Sequence, residues 1–173
     1  MNAATARVTL RAPQATDREQ VDRLVAATGV FRPDERAIAL EVFDSAVDRP
    51  GVDYTSLGAY DDAGILTGFA CYGHTPCTTH TWDLYWIAVD PSVHRQGTGR
   101  MLMRACEHDM TVKGGRLIVV ETSSRPDYGP TRAFYEALGY GVAARIPDYY
   151  APNDDLVTYV KRLDSSRSTL RHG

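Results

Sequence analysis

The stretch Val89-Asp90-Pro91-Ser92-Val93-His94-Arg95-Gln96-Gly97-Thr98-Gly99-Arg100 decides how the chain folds. It leaves a β-rich run, passes Pro91, and enters a helical pattern whose first turn holds Gly97 and Gly99. Glycine lets the main chain approach a ligand with no Cβ in the way, and a helix N-terminus offers unpaired N–H groups at the positive end of its dipole. Together these features suit a phosphate or pyrophosphate, and Arg95 and Arg100 add positive charge. The same residues equally suit a tight strand-to-helix turn with a well-capped helix and no ligand. Two other phosphate motifs are excluded. A Rossmann fingerprint needs glycine at the position of Leu102, and a Walker loop needs Gly-Lys-Ser/Thr, which is absent.

Working outward, the chain alternates between two periods. Val8 and Leu10 open a short strand, and Thr16 with Glu19 fits a capping box ahead of Val21, Leu24 and Val25 at helical spacing. Gly29 closes that helix. Pro33 begins a second helix that presents Ala37, Leu40, Phe43 and Val47 and ends before Pro50-Gly51. Tyr54 to Tyr60, Ile65 to Tyr72 and Thr81 to Val89 read as strands, the first two joined as a hairpin by Asp61-Asp62-Ala63-Gly64. Arg100 to Val112 is helical, with Leu102, Ala105, Cys106 and Met110 on one face, and stops at Gly114-Gly115. Leu117 to Val120 is a buried strand. Pro130 to Leu138 is a short helix turning Ala133, Phe134, Ala137 and Leu138 inward and capped by Gly139. Val142 to Pro147 and Leu156 to Lys161 are the last strands. With no internal repeat, this order reads as one α+β domain, and residues 1–6 and 164–173 read as frayed tails.

Composition narrows the functions open to such a domain. A chain of 173 residues with 43% hydrophobic residues buries roughly 70% of the surface its unfolded form exposes, so it needs neither metal nor disulfide to hold a core. Seventeen Arg and two Lys are spread along the chain against 22 acidic residues, which disfavours a nucleic-acid partner. No apolar run approaches the roughly 20 residues of a membrane span, and Met1 to Arg11 lacks a signal-peptide core, so a cytoplasmic protein without a membrane partner is expected. Cys71, Cys77 and Cys106 have neither C-x-x-C nor zinc-finger spacing and read as free thiols.

With these elements placed, the glycine loop and a second block, Thr131-Arg132-Ala133-Phe134-Tyr135-Glu136-Ala137-Leu138-Gly139-Tyr140, make the chain resemble the GCN5-related N-acetyltransferase (GNAT) superfamily. That family's coenzyme A loop reads Gln/Arg-x-x-Gly-x-Gly/Ala after a Val-x-Pro strand end. Val89-Asp90-Pro91 and Gly97-Thr98-Gly99 match it, while His94 stands where Gln or Arg is usual. The resemblance runs over nearly the whole core. It implies a single α+β GNAT-like domain over residues 7–163, with a central mixed twisted sheet of about seven strands flanked by about four helices. It also implies acetyl-coenzyme A (acetyl-CoA) as acyl donor. Backbone at Ile87, Ala88 and Val89 would pair with the pantetheine arm as an added strand does. His94, Arg95, Gln96, Gly97, Thr98, Gly99 and Arg100 would hold the pyrophosphate, and Thr131 and Phe134 would flank the coenzyme.

Amine acetylation needs a neutral amine, a stabilised oxyanion and a proton for the departing thiolate. The resemblance gives the last role to Tyr135 and the oxyanion to the Val89 N–H. Periodicity alone also allows Tyr135 to be a half-buried core residue. A thiol titrates near 8.5 and a tyrosine near 10, so complete transfer from Tyr135 is uphill by about 2 kcal/mol, and partial donation to sulfur is the milder alternative. Asp83 stands where several family members carry a catalytic glutamate, and strand alternation groups it with Tyr85, Ile87 and Val89. It reads either as the base or as a structural partner for an arginine, with Glu121 and Tyr85 in reserve. His74 and His80 read as exposed bystanders.

Two segments are expected to form the acceptor pocket: the turn Val30-Phe31-Arg32 and the loop before the last strand, with Tyr149, Tyr150, Asp154 and Asp155. Paired tyrosines there resemble the protein N-terminal acetyltransferase branch, in which they hold peptide backbone; they equally suit aromatics anchoring a Pro-rich loop. Tyr128 replaces the asparagine common seven residues before the family tyrosine, so the branch does not name the acceptor. A primary amine, on a small molecule or at a peptide N-terminus, is the expected partner, and a homodimer is an admissible assembly. The alternative function is a non-catalytic acyl-CoA-binding or sensor module.

Overall fold

The structure, a computed structural model, describes residues 8–94 and 96–163; Arg95 and both expected tails lie outside the described residues. Seven strands form one mixed sheet: β1 (Thr9–Arg11), β2 (Thr55–Tyr60), β3 (Leu66–His74), β4 (Thr81–Val89), β5 (Leu117–Ser123), β6 (Gly141–Ala151) and β7 (Asp154–Arg162), in the order β1-β2-β3-β4-β5-β7-β6. β4 and β5 run parallel, while β1/β2, β2/β3, β5/β7 and β6/β7 are antiparallel. Four α-helices accompany the sheet: α1 (Arg18–Ala27), α2 (Pro33–Asp48), α3 (Thr98–Val112) and α4 (Gly129–Ala137). Contacts divide the chain into two compact units. One comprises the chain up to Gly73 with Trp86–Cys106; the other comprises His74–Tyr85 with the chain from Glu107 onward.

The first unit is built on a helical hairpin. Val21, Leu24 and Val25 of α1 and Ala39, Phe43 and Ala46 of α2 are buried together with Leu66, Phe69 and Cys71 of β3, and the Phe43 and Phe69 rings meet edge to face at 5.9 Å. The α2 face differs from the expected one: Ala37 is exposed and Leu40 and Val47 are only half-buried. Ala39 and Ala46, one turn either side of Phe43, take the inner positions because small side chains let the helix approach closely. The cap of α1 also differs. A 3-10 turn at Ala15–Asp17 precedes it, and the Asp17 carboxylate, rather than Thr16 with Glu19, accepts the Gln14 N–H at 2.9 Å. Asp17 is 5% exposed and also accepts from Arg11 at 3.0 Å and from the Tyr60 hydroxyl at 2.8 Å. Burial pushes its carboxyl up, but Arg11, the Gln14 amide and Tyr60 together outweigh that and hold it below the usual range. The β2–β3 hairpin forms as expected, with Gly64 at φ +77° and the Asp61 side chain accepting from the Ala63 and Ile65 amides.

In the second unit β5 runs three residues past the expected strand, and β6 and β7 form a long hairpin around Asn153 at φ +63°. The segment expected as an acceptor loop is therefore mostly strand. Tyr149 and Tyr150 lie on β6, which breaks register between Ile146 and Ala151, and Asp148 there takes φ +52°. Asp155 secures that irregularity by accepting the Asp148 amide at 2.9 Å and Arg145 at 2.6 Å, which hold its carboxyl below the usual range. Asp154 is 4% exposed and accepts from the Ser123 hydroxyl. Both acids of the expected acceptor pair are engaged in holding the hairpin. The inner faces of the later helices also differ from expectation. In α3 Met103 is fully buried and Ala105 is not, and in α4 Tyr135 is buried while Ala133 and Ala137 are exposed and Phe134 and Leu138 half-buried.

Replacing Asp17 by Asn removes the charge but keeps an acceptor. The variant is expected to lose about 1–3 kcal/mol of unfolding free energy at pH 7, measured by urea titration. Because the folded carboxyl titrates below its unfolded value of about 3.9, its contribution is present above that value and is lost as pH falls through the folded one, so the two proteins should converge in acid.

Candidate functional site

In the first unit, the end of β4 is tied down before the chain reverses. The Asp90 amide donates to the Thr67 carbonyl at 2.9 Å, and the Asp90 side chain accepts from the Ser92 amide at 2.9 Å and the Ser92 hydroxyl at 2.7 Å. These bonds hold its carboxyl low and shape the 3-10 turn Pro91–Val93. The exposed His94 places its ring Nε2 3.1 Å from the Val89 carbonyl oxygen, a contact that braces the turn against the strand end carrying the expected oxyanion donor.

Gly97 then adopts φ +87°, and a Cβ there would meet nothing within 4 Å. The turn is open above it. The Met101 amide donates to the Gly97 carbonyl at 2.9 Å, so the amides of Thr98, Gly99 and Arg100 precede the first such rung of the helix, as N-terminal amides do. The Gln96 amide is spent on the Val93 carbonyl at 3.3 Å. Thr98 is 2% exposed because the start of α3 sits on β3 at Gly68, where a Cβ would lie 2.7 Å from Leu102 Cδ1 and 3.2 Å from Thr98 Cγ2. Sequence analysis missed Gly68. A lone glycine inside a strand pattern was the available signal for such an approach. Phe31 packs on Trp86 with ring centroids 5.2 Å apart, and Trp86 and Ala88 join the α1–α2 core. Ile87 and Val89 are half-buried, and Arg100 is exposed.

The second unit gathers the other expected chemical groups. The described β4/β5 ladder runs from Thr81–Leu117 to Leu84–Val120 and places Asp83 opposite Val119; alternation then puts Glu121 on the same sheet face. Thr75 donates to Asp83 Oδ2 at 2.6 Å, and the Tyr85 hydroxyl lies 3.5 Å from the same oxygen. Glu121 keeps solvent access, yet desolvation against the sheet, followed by the like charge of Asp83, pushes its carboxyl up. No arginine is bonded to Asp83 among the described residues; its recorded partners are hydroxyls.

Tyr135 on α4 is 4% exposed, and its ring packs against Phe134, Tyr140 and Tyr159 at centroid distances of 5.6, 5.8 and 5.9 Å. Burial pushes its hydroxyl well up, and Tyr128 adds to the effect. At neutral pH it holds its proton and is suited to donating a hydrogen bond. Thr131 is half-buried on the same helix. Tyr149 is 56% and Tyr150 36% exposed, with their rings edge to face at 5.0 Å. Among the described residues no group of three His, Cys, Asp or Glu could hold a metal, and no helix is long and apolar enough to cross a membrane.

These features have counterparts in known proteins. The family model described as "Acetyltransferase (GNAT) domain" matches residues 53–142. A GNAT-family protein from Desulfovibrio desulfuricans is similar in structure with a TM-score of 0.87 and 38% identity, over 91% of this chain and all of the other. The ribosomal-protein-S18-alanine N-acetyltransferase of Escherichia coli superposes with a TM-score of 0.73 at 21% identity, over 96% of this chain and 100% of that one. The Salmonella typhimurium protein yncA, solved with its cofactor acetyl-CoA, gives a TM-score of 0.72 at 19% identity, over 92% and 95% of the two chains. Below a quarter identity these last two show a shared fold. No curated protein matches the sequence.

The positive φ at Gly97 makes a direct prediction. Gly97→Ala should lose about 1–2 kcal/mol of stability in urea titration, because the added methyl meets no neighbour and the cost is purely that of the backbone angle.

Proposed function

The chain belongs to the GNAT acetyltransferase family, and on that premise we propose that it moves an acetyl group from acetyl-CoA directly onto a primary amine, on a small molecule or at a peptide N-terminus, within a domain spanning residues 7–163. The observation that carries this reading is the β4–α3 turn: an open glycine at positive φ followed by the leading amides of a 15-residue helix. A pyrophosphate fits such a turn because the amides need an acceptor and the helix dipole favours negative charge.

When bound, acetyl-CoA supplies a thioester, whose carbonyl carbon is the electrophile. Gly97, Thr98, Gly99 and Arg100 hold the diphosphate. The β4 backbone at Ile87, Ala88 and Val89, beyond the described Leu84–Val120 end of the ladder, accepts the pantetheine arm as a sheet edge accepts a strand. Thr131 and Phe134 flank the coenzyme, and the Val89 N–H faces the developing oxyanion. Glu121, whose carboxyl is pushed up, takes a proton from the acceptor ammonium so that the neutral amine can attack the carbonyl carbon and form the C–N bond. Asp83, held by Thr75, supplies the neighbouring charge that raises it. Tyr135 donates a hydrogen bond to the sulfur as the C–S bond breaks, and the proton that the acylated nitrogen gives up converts the departing thiolate to the thiol, leaving the amide.

Phe31, Tyr85, Tyr149 and Tyr150 serve the acceptor. The net charge of −3 and the two carboxylates on one sheet face favour a cationic amine. Cys71, Cys77 and Cys106, none of them in a disulfide and with burial pushing Cys71 up to about 12, suit a reducing cytoplasm.

A thiol-release assay over a panel of amines tests the reading. Tyr135→Phe should lower kcat by about 10²-fold with little change in coenzyme affinity by calorimetry. Coenzyme binding without turnover on any amine would indicate a sensor instead. In the same assay kcat/KM should rise with pH along an acid limb set by Glu121, lying above the ordinary glutamate value of about 4.3. Asp83→Asn removes the like charge, so the limb should move to lower pH; an unmoved limb would exclude Glu121 as the base.

A further inference from the structure

We propose that Tyr140, held by Glu107 and Lys161, is a positioning residue for the Tyr135 hydroxyl, an inference that rests on Tyr135 being the donor to sulfur. Tyr135 sits at the end of a short helix, where a side chain has few neighbours on its own element to orient it. Its carbonyl accepts the Leu138 amide at 3.0 Å and the Tyr140 amide at 3.1 Å, so the chain folds back and brings the Tyr140 ring to 5.8 Å from the Tyr135 ring at an interplanar angle of 58°. Both rings are 4% exposed.

The Tyr140 ring is fixed at its far end. Its hydroxyl donates to Glu107 Oε1 on α3 at 2.9 Å. Lys161 on β7 donates to both Glu107 oxygens, each at 2.9 Å, and its ammonium lies 5.3 Å from the Tyr140 ring centroid. One carboxylate therefore accepts from a phenol and a cation at once, and the phenol cannot tilt without breaking a charge-assisted bond. Tyr135 also meets Tyr159, at a centroid distance of 5.9 Å, whose hydroxyl donates to Glu136 at 2.8 Å. The ring of Tyr135 thus packs against two tyrosines, each pinned through its own hydroxyl to a carboxylate.

A phenylalanine at position 140 would fill the same space and bury the same ring while removing the hydroxyl that bonds Glu107. That makes the link separable from packing. A proton donor must be placed to within about 0.5 Å of productive geometry, and this kind of support is what holds it there.

The test is a kinetic cycle of wild type, Tyr140→Phe, Tyr135→Phe and the double variant, assayed by thiol release with thermal melts on each. Tyr140→Phe should lower kcat about three- to tenfold, leave the acetyl-CoA KM within about twofold, and produce no further loss of kcat in the Tyr135→Phe background. Glu107→Gln, which keeps an acceptor but loses the ion pair with Lys161, should show a smaller loss with the same dependence on Tyr135. Equal losses in both backgrounds, a change confined to KM, or no loss at all would overturn the proposal. An unimpaired kcat in Tyr135→Phe itself would remove the donor assignment first, and the positioning role with it.

Discussion

The backbone of Gly97 at φ +87° is the constraint on which the site depends. The chain must leave the end of β4, turn once, and enter α3 with its first amides still unspent. Each neighbouring bond serves that turn. Asp90 is tied to Thr67, Ser92 to Asp90, and the His94 ring to the Val89 carbonyl. Gly68 completes the arrangement from beneath, because only a missing Cβ lets Leu102 and Thr98 lie against β3. The result is a helix N-terminus that turns its positive dipole end and leading donor groups toward the open side of the turn.

The acid–base groups of the second unit follow a related logic, in which neighbours set the protonation state. Glu121 is raised by desolvation and by Asp83, while Asp83 is engaged by Thr75. Two carboxylates that look interchangeable in sequence are therefore different in kind: one is held in place and the other is displaced toward neutral pH. Tyr135 is treated in the opposite direction from a strong acid. Burial raises its hydroxyl further above the thiol, so complete proton transfer to sulfur becomes costlier than the sequence arithmetic suggested and hydrogen-bond donation becomes the natural role. Its aromatic surroundings supply both the burial and the confinement.

Much of this was legible in the chain. Proline and glycine punctuation marked the start of α2, the β2–β3 hairpin and the end of α3, and β4 was bounded correctly because β-branched and aromatic residues predominate from Thr81 to Val89. The family motifs marked the glycine turn and Tyr135. Helix faces were read less well. Alanines at 37, 39, 46, 133 and 137 carry almost no periodic signal, so tertiary packing decided which of them turned inward. The hairpin of β6 and β7 was shortened because the stretch after Pro147 read as a Pro-rich loop, whereas the strand accommodates an irregularity stabilised by Asp155. Long-range pairs such as Glu107 with Lys161, or Thr75 with Asp83, leave no local pattern at all.

The claim that most of the account rests on is that the amides opening α3 grip a diphosphate. Amide NMR of the labelled protein titrated with coenzyme A measures it directly, since hydrogen bonding to phosphate shifts an N–H downfield. Large downfield shifts at Gly97, Thr98, Gly99 and Arg100 are the predicted result. Coenzyme binding that left these four resonances in place while moving others would contradict it.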